Sequence, residues 1–261
     1  MIDRTSHWAA YAAGIRESHP SPGSAPARFE WGTHPGSGPG AAAFGRDLRG
    51  HRFLELGCGP GHNAAYLAEA HGACVVAIDP VDLQISRARA RYGHLTGTTF
   101  LACEALRYLG RRAEQFDVVY SVFGAVGLVD PEQLLPAISR SLRPRGLLVF
   151  SVPHPHRAGR GSYGAGPHWD VLRLPDGTRR PLVRWEIGVR QWRQTLARHE
   201  LRLLAVRELG DPRCAWTTTL IVRARRLDSV RGSTGQGCCK EPARKVPYPP
   251  GKRPVDRCSH R

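Results

Sequence analysis

The chain has 261 residues, 41% hydrophobic and 23% charged, a composition that supports a sizeable core and excludes a disordered or fibrous protein. Its formal net charge is +16, and no apolar run approaches the ~20 residues that a membrane span needs. The amino terminus, Met1-Ile2-Asp3-Arg4, has an early acid and no apolar segment of the secretory type, so a soluble, cytoplasmic protein is expected.

The charge is unevenly spread. Residues 223–261 hold eleven Lys/Arg against three Asp/Glu, so half of the excess lies in the last 39 residues. This reads as a solvated basic tail, with a nucleic-acid or anionic-surface role as the alternative. The seven cysteines do not form a disulfide framework. Cys58, Cys74, Cys103 and Cys214 stand singly within apolar runs or turns, and Cys238, Cys239 and Cys258 lack paired spacing. No structural metal site is expected.

Taken in order, residues 3–15 place Trp8, Tyr11, Ala12 and Ile15 on one face of a short amphipathic helix. Pro20 to Gly45 is rich in Pro, Gly and Ser yet contains Phe29, Trp31 and His34. It is expected to be either a partly ordered lid over the carboxyl edge of a sheet, with Trp8, Tyr11, Trp31 and His34 as possible lid contacts, or a floppy leader with one aromatic anchor. Residues 52–61, Arg-Phe-Leu-Glu-Leu-Gly-Cys-Gly-Pro-Gly, then give a buried strand and a tight turn with glycines spaced two apart. A small-residue helix follows (Ala64, Ala65, Leu67, Ala68). Such a turn needs φ > 0 and lets a ligand approach backbone N–H groups with no Cβ in the way.

Cys74 to Asp79 reads as a second buried strand ending in an acid, where a carboxylate can accept bonds from both hydroxyls of a ribose. A helix from Asp82 to Arg91 follows, then a strand over Thr98–Cys103 with Glu104 at its tip, placed to meet an adenine amine. Phe116 to Gly124 is the fourth strand, and Ser121 and Phe123 should border the ligand cleft at the switch point of the sheet. Asp130-Pro131 opens a helix in which Pro136 suggests a kink or a later start. A fifth strand covers Leu147–Val152 and runs into Pro153-His154-Pro155-His156. Asp176-Gly177 marks a hairpin between Trp169–Leu174 and Pro181–Ile187. A helix over Val189–His199 and strands over Leu201–Val206 and Cys214–Ala224 complete the pattern.

The fold class expected is α/β: a doubly wound, mostly parallel, seven-stranded Rossmann-like sheet with an N-terminal helical lid and a disordered basic C-terminal tail. Residues 1–45 form the helix and lid, 46–226 the α/β domain with 153–190 as a substrate-side insertion, and 227–261 the tail.

The turn is Gly-x-Gly-x-Gly, not the Gly-x-Gly-x-x-Gly of dinucleotide binding, which disfavours a nicotinamide-dependent oxidoreductase. Glu55-Leu56-Gly57-Cys58-Gly59-Pro60-Gly61, with Asp79, Phe116-Asp117-Val118-Val119-Tyr120-Ser121 and Leu142-Arg143-Pro144-Arg145-Gly146, resembles the class I S-adenosylmethionine-dependent methyltransferases, most closely their small-molecule bacterial branch. The resemblance implies S-adenosyl-L-methionine as cofactor. Glu55, Gly57, Cys58, Gly59 and Gly61 would form the turn around its methionine part. Asp79 would hold the ribose, Glu104 would stand near the adenine, and Ser121 and Phe123 would line the methyl side. Arg145 departs from the family's usual glycine at a structural turn.

The activity so implied is methyl transfer to an O, N or C nucleophile of a small molecule. His154 and His156, whose side-chain type titrates near neutral pH, are the candidate bases. An RNA or other nucleic-acid acceptor using the basic tail is one alternative, and a non-catalytic cofactor-binding protein another. Against the nucleic-acid reading, the fourth strand ends in Tyr120-Ser121-Val122-Phe123, which offers neither an Asn-Pro-Pro-Tyr base clamp nor a Pro-Cys nucleophile.

Overall fold

The computed structural model describes residues 4–15, 22–32, 34–110, 113–157, 166–210 and 216–228. The chain divides into a unit of residues 1–229 and a second of 230–261, and the second lies outside the described residues. So do Cys214, Cys238, Cys239 and Cys258, and nearly all of the expected tail.

The elements in chain order are α1 (Arg4–Gly14), β1 (Arg52–Leu56), α2 (His62–His71), β2 (Cys74–Asp79), α3 (Asp82–Tyr92), β3 (Thr98–Ala102), α4 (Ala105–Leu109) and β4 (Phe116–Val122). Then come α5 (Pro131–Ser141), β5 (Leu142–Pro153), β6 (His168–Arg173), β7 (Arg179–Arg184), α6 (Val189–Arg198), β8 (Leu201–Gly210) and β9 (Thr217–Arg226). Seven strands make one sheet in the order β3-β2-β1-β4-β5-β9-β8, while β6 and β7 pair separately. Strands β1 to β5 are parallel, and β9 runs antiparallel between β5 and β8. The strand order reverses between β1 and β4, so a crevice opens at the carboxyl ends of these two strands.

Both faces of the sheet are covered. One core joins Leu54, Leu56, Val119, Leu148 and Phe150 to α4, α5 and α6, with Trp192 of α6 packed 4.7 Å from Phe150. The other joins Phe53, Val75, Tyr120 and Val149 to α2 and α3. Residues 22–48 belong to this second core. The expected lid is therefore not a lid: Phe29 and Trp31 are fully buried against Phe44, Phe53 and Tyr120. Trp31 Nε1 donates to the Gly40 carbonyl at 2.8 Å, which closes the segment on itself.

Covering falls to α1, the helical part of the expected N-terminal lid, with the β6–β7 hairpin packed against it. Leu172, Leu174 and Leu182 of the hairpin and its turn pack with Trp8, Ala10 and Tyr11 of α1. His7 Nδ1 lies 3.1 Å from the Pro181 carbonyl. Arg87 of α3 donates to the carbonyls of Ala12 and Ile15 at 2.9 and 3.0 Å, a cation at the end of α1 where the last carbonyls need donors. The hairpin is held in turn by Arg157, which bonds Glu186 and Asp170 at 2.6 and 2.9 Å, and by Arg184, which bonds Asp170 at 2.8 Å.

Two local expectations change. Helix α5 runs from Pro131 to Ser141 with Pro136 inside it, because the carbonyl deprived of its partner is that of Glu132, an exposed residue whose oxygen water can serve. The helix end and the turn after it are absorbed into β5, which begins at Leu142 and shifts register against β4 between Phe116 and Val118. Arg145 takes φ +64° there, the conformation a glycine would adopt freely.

Candidate active site

The crevice between β1 and β4 holds a cavity of about 290 Å³. Its floor is the glycine turn. Gly57, Gly59 and Gly61 all have positive φ, at +80°, +52° and +81°. The N–H groups of Gly57 and Cys58 both donate to the Ile78 carbonyl, at 2.8 and 3.0 Å, which ties the turn to β2. A Cβ on Gly57 would come within 2.8 Å of the Gly124 Cα, and one on Gly124 would collide with the Leu56 carbonyl. The ends of β1 and β4 meet backbone to backbone, and only a pair of glycines permits that approach. Phe123, just before, is held at φ +49°, a strained conformation for an aromatic residue, on the cavity wall.

Asp79 closes one side. Its Oδ2 accepts the Gly59 N–H and its Oδ1 the Val81 N–H, both at 2.9 Å. Each oxygen keeps a lone pair for a further donor. Burial pushes the Asp79 pKa above its ordinary value, against the opposing pull of the Val81 and Gly59 N–H groups. Glu104, at the tip of β3, also lines the cavity and is exposed. It precedes α4 as the capping residue, but its side chain makes no capping bond.

Of the residues expected at the site, Gly57, Gly59, Asp79, Glu104 and Phe123 line the cavity. Glu55, Cys58, Gly61 and Ser121 do not, and each acts behind it. Glu55 is buried beneath the turn, accepting a bond from the Tyr120 hydroxyl at 2.9 Å and another from the Ala64 N–H. Desolvation raises its pKa to about 8, so the carboxyl is mostly neutral at pH 7. Cys58 is buried too, and burial pushes its thiol up beyond any reactive range. Gly61 precedes α2, and a Cβ there would come within 2.6 Å of the Phe100 ring. Ser121 donates to the Leu56 carbonyl at 2.9 Å and accepts from Val126 N at 3.3 Å, pinning the loop after β4 to β1.

His154 and His156 do not line the cavity. His154 continues the β5–β9 ladder, its N–H donating to the Thr218 carbonyl at 2.9 Å. Its Nδ1 accepts the His156 N–H at 3.1 Å, and its Nε2 lies 3.5 Å from Glu208 of β8. The pair is thus engaged with the far end of the sheet, and His156 is exposed. Trp31 and His34 are absent from the cavity lining as well, whereas Trp8 and Tyr11 form part of it.

Sequence reasoning missed Thr5 and Gln84. Thr5, Trp8 and Tyr11 are three apart and share a face of α1, a spacing visible once the helix is known to cover a ligand. Gln84 lies in the first turn of α3, and its Nε2 is 3.9 Å from where a Cβ of Gly59 would stand. Its Oε1 is buried with no hydrogen-bond partner among the described residues. Gln84 itself lines the cavity, with its amide nitrogen beside Gly59. Together with the lone pairs of Asp79 and a cradle that any Cβ would fill, it fits a nucleoside-bearing cofactor.

Comparison with protein families matches residues 53–146 to the one described as a methyltransferase domain. This stretch is similar to a methyltransferase domain. A ubiquinone biosynthesis O-methyltransferase of Cereibacter sphaeroides is 33% identical over 150 residues, which are 53% of this chain and 58% of that protein. The chain thus spans a little over half the length of that curated relative. Among solved structures, an S-adenosylmethionine-dependent methyltransferase of Mesorhizobium loti matches with a TM-score of 0.54 and 25% identity, covering 69% of this chain and 93% of that one. The 1,6-didemethyltoxoflavin-N1-methyltransferase of Burkholderia thailandensis, solved with its substrate and S-adenosylhomocysteine, has the same fold at a TM-score of 0.53 and 20% identity, covering 69% and 72%. The matched domain runs from β1 to the turn inside β5, so the glycine turn, Asp79, Glu104 and Phe123 all fall within it. The α1 cap and the β6–β7 hairpin fall outside.

Proposed function

We propose that this chain transfers a methyl group from S-adenosylmethionine to a small-molecule acceptor. The observation that carries the reading is Asp79, an acid at the tip of β2 that braces the glycine turn on the wall of the cavity with oxygen lone pairs to spare. When bound, the cofactor supplies a methyl already activated by its sulfonium. What is asked of the chain is to bind, align and exclude water.

In this reading Asp79 accepts the ribose hydroxyls, Glu104 and Gln84 meet polar edges of the nucleoside, and the Gly57–Gly59 backbone admits the methionine part. Phe123 and Gly124 shape the wall beside the methyl group. Trp8 and Tyr11, carried over the mouth by α1, shut out water. The names of the matched relatives support the reading, and the methyltransferases cited above include no nucleic-acid enzyme. Among the described residues no group of three His, Cys, Asp or Glu could hold a metal ion, and no helix is long and apolar enough to cross a membrane.

The test is calorimetric titration with S-adenosylmethionine, S-adenosylhomocysteine and NAD, repeated on Asp79→Ala. Micromolar binding of both sulfur nucleosides that weakens by about 100-fold in the variant, the scale of two lost charge-assisted bonds, is expected. Binding of NAD in their place, or unchanged binding by the variant, would refute the reading.

A further inference from the structure

The β6–β7 hairpin presents two unlike faces. Its inner face turns Leu172 and Leu182 toward α1, and Asp170 and Arg184 into the ion pairs that hold the hairpin. The alternate residues form the outer face in three cross-strand rungs: Trp169 with Val183, Val171 with Pro181, and Arg173 with Arg179. Trp169 is 68% exposed and Val171 44%. Pro181, Arg173 and Arg179 are exposed as well. No ion pair among the described residues engages either arginine, and Asp176 in the turn accepts the Thr178 N–H at 2.8 Å.

Both features are costly as they stand. A tryptophan largely in water beside an exposed valine makes an apolar strip without cover, and like charges directly opposed across two strands repel. The strip is also directional, with its indole at one end, aliphatic groups in the middle and cations at the other end. Turned over about an axis along the middle rung, a second strip fits the first. Val171 meets Val171 and Pro181 meets Pro181, while the indole at each end receives an arginine of the other copy. Arginine stacks on an indole face as a cation–π pair, and tryptophan is the best ring for it. The other two-fold in the plane of contact, along the strands, sets arginine on arginine and is excluded by charge. An anionic lipid surface would answer the arginines, but at the same end it meets the exposed Asp176.

We propose that the outer face of the hairpin is an isologous docking surface for a second copy of this chain, with Trp169 against Arg173 of the other copy and Val171 at the two-fold axis. Taking roughly 250 Å² for a whole indole side chain, the 68% exposed Trp169 brings about 170 Å² to the contact. The six side chains together bury about 400–500 Å² per copy, at the low end for specific interfaces, so the dimer is weak and concentration-dependent. It braces from behind the hairpin on which α1 is packed.

Sedimentation velocity of the full chain from about 1 to about 500 µM reads the association, a range that brackets the Kd of about 50 µM expected of so small an interface. Trp169→Ala should raise that Kd at least about tenfold, as should Arg173→Gln combined with Arg179→Gln, because each removes both cation–π pairs of the dimer. All three side chains are exposed, so the melting temperature should hardly move. Val171→Cys should be joined to its own copy by a short bis-maleimide matched to the ~10 Å between packed sheets, giving a dimer band that wild type lacks. A chain that stays monomeric at the highest concentration overturns the proposal, and so does a dimer that survives Trp169→Ala. Failure of Val171→Cys to cross-link in a dimer that needs Trp169 overturns it too, since the axis then lies elsewhere. A monomer whose binding to phosphatidylglycerol vesicles needs Trp169 gives the strip to a lipid surface and overturns the dimer.

Discussion

Replacing Glu55 by glutamine should make the protein more stable at alkaline pH, although it removes an ionisable residue of the glycine motif. The carboxyl is fully buried between β1, the Tyr120 hydroxyl and the start of α2, and desolvation raises its pKa from 4.5 to about 8. In the unfolded chain it releases its proton near 4.5. Between these two values the folded protein holds a proton that the unfolded chain has lost, so stability is greatest below 4.5 and falls as the pH rises through about 8. At about 1.4 kcal/mol per pH unit, the loss over the whole window accumulates to about 5 kcal/mol. Glutamine has the shape of the protonated acid, can accept the Ala64 N–H through its amide oxygen while its NH2 donates to the Tyr120 hydroxyl oxygen, and does not titrate. Thermal melts of both proteins at pH 5 and pH 8 decide the matter. Wild type should lose about 10 °C more than Glu55→Gln between the two, taking about 2–4 °C per kcal/mol for a domain of this size. Parallel curves would show that Glu55 is ionised beneath the turn and would refute the reasoning.

Ser121→Ala leaves the Val126 N–H without its acceptor in a buried loop and should cost about 1–2 kcal/mol in urea unfolding; a change within experimental error would mean that water replaces the hydroxyl. Arg145→Gly relieves a left-handed backbone at φ +64° and should leave the chain about 0.5–1 kcal/mol more stable by the same assay, with a loss indicating that the arginine side chain contributes more than the strain costs. Arg87→Ala removes both donors at the end of α1. Hydrogen exchange over residues 4–15 should then accelerate by about tenfold while β1 to β5 keep their protection, and uniform acceleration would argue that α1 is not a separately opening cap.

The parts of the fold legible in the sequence are those fixed by local chemistry. Glycines two apart after Phe53-Leu54-Glu55-Leu56 permit little besides a strand and a tight turn, and Asp79 ends its strand where the parallel order requires. The hairpin over Leu174–Thr178 follows from Asp176-Gly177, and Gly177 does take φ +86°. What was not legible depends on distant partners. Phe29 and Trp31 sit in a Pro/Gly-rich stretch that reads as loop, and their burial is decided by Phe44, Phe53 and Tyr120, the last of these 89 residues from Trp31 in sequence. His154 stands at a strand tip on the cleft side, but the antiparallel β9, pairing with β5, keeps its backbone in the ladder and its imidazole beside Glu208. Glu55 was read as a cofactor contact because it adjoins the first glycine. Strand alternation turns it inward to Tyr120, and its contribution to the turn is support from below.

The joint between α1 and the β6–β7 hairpin bears on how the cover of the cavity could be changed. Both lie outside the stretch matched to the methyltransferase domain, and they lock together through His7 with Pro181, Gly14 with Pro175, and Trp8 and Tyr11 with the hairpin leucines. Grafting either piece alone from a relative would leave mismatched surfaces, so under the proposed reading a change of acceptor calls for exchanging residues 4–15 and 168–184 as a set. The glycine turn and Asp79 need no alteration in such an exchange. Under the proposed reading, selection can revise what covers the cavity in two cooperating segments while the glycine turn beneath them is inherited intact.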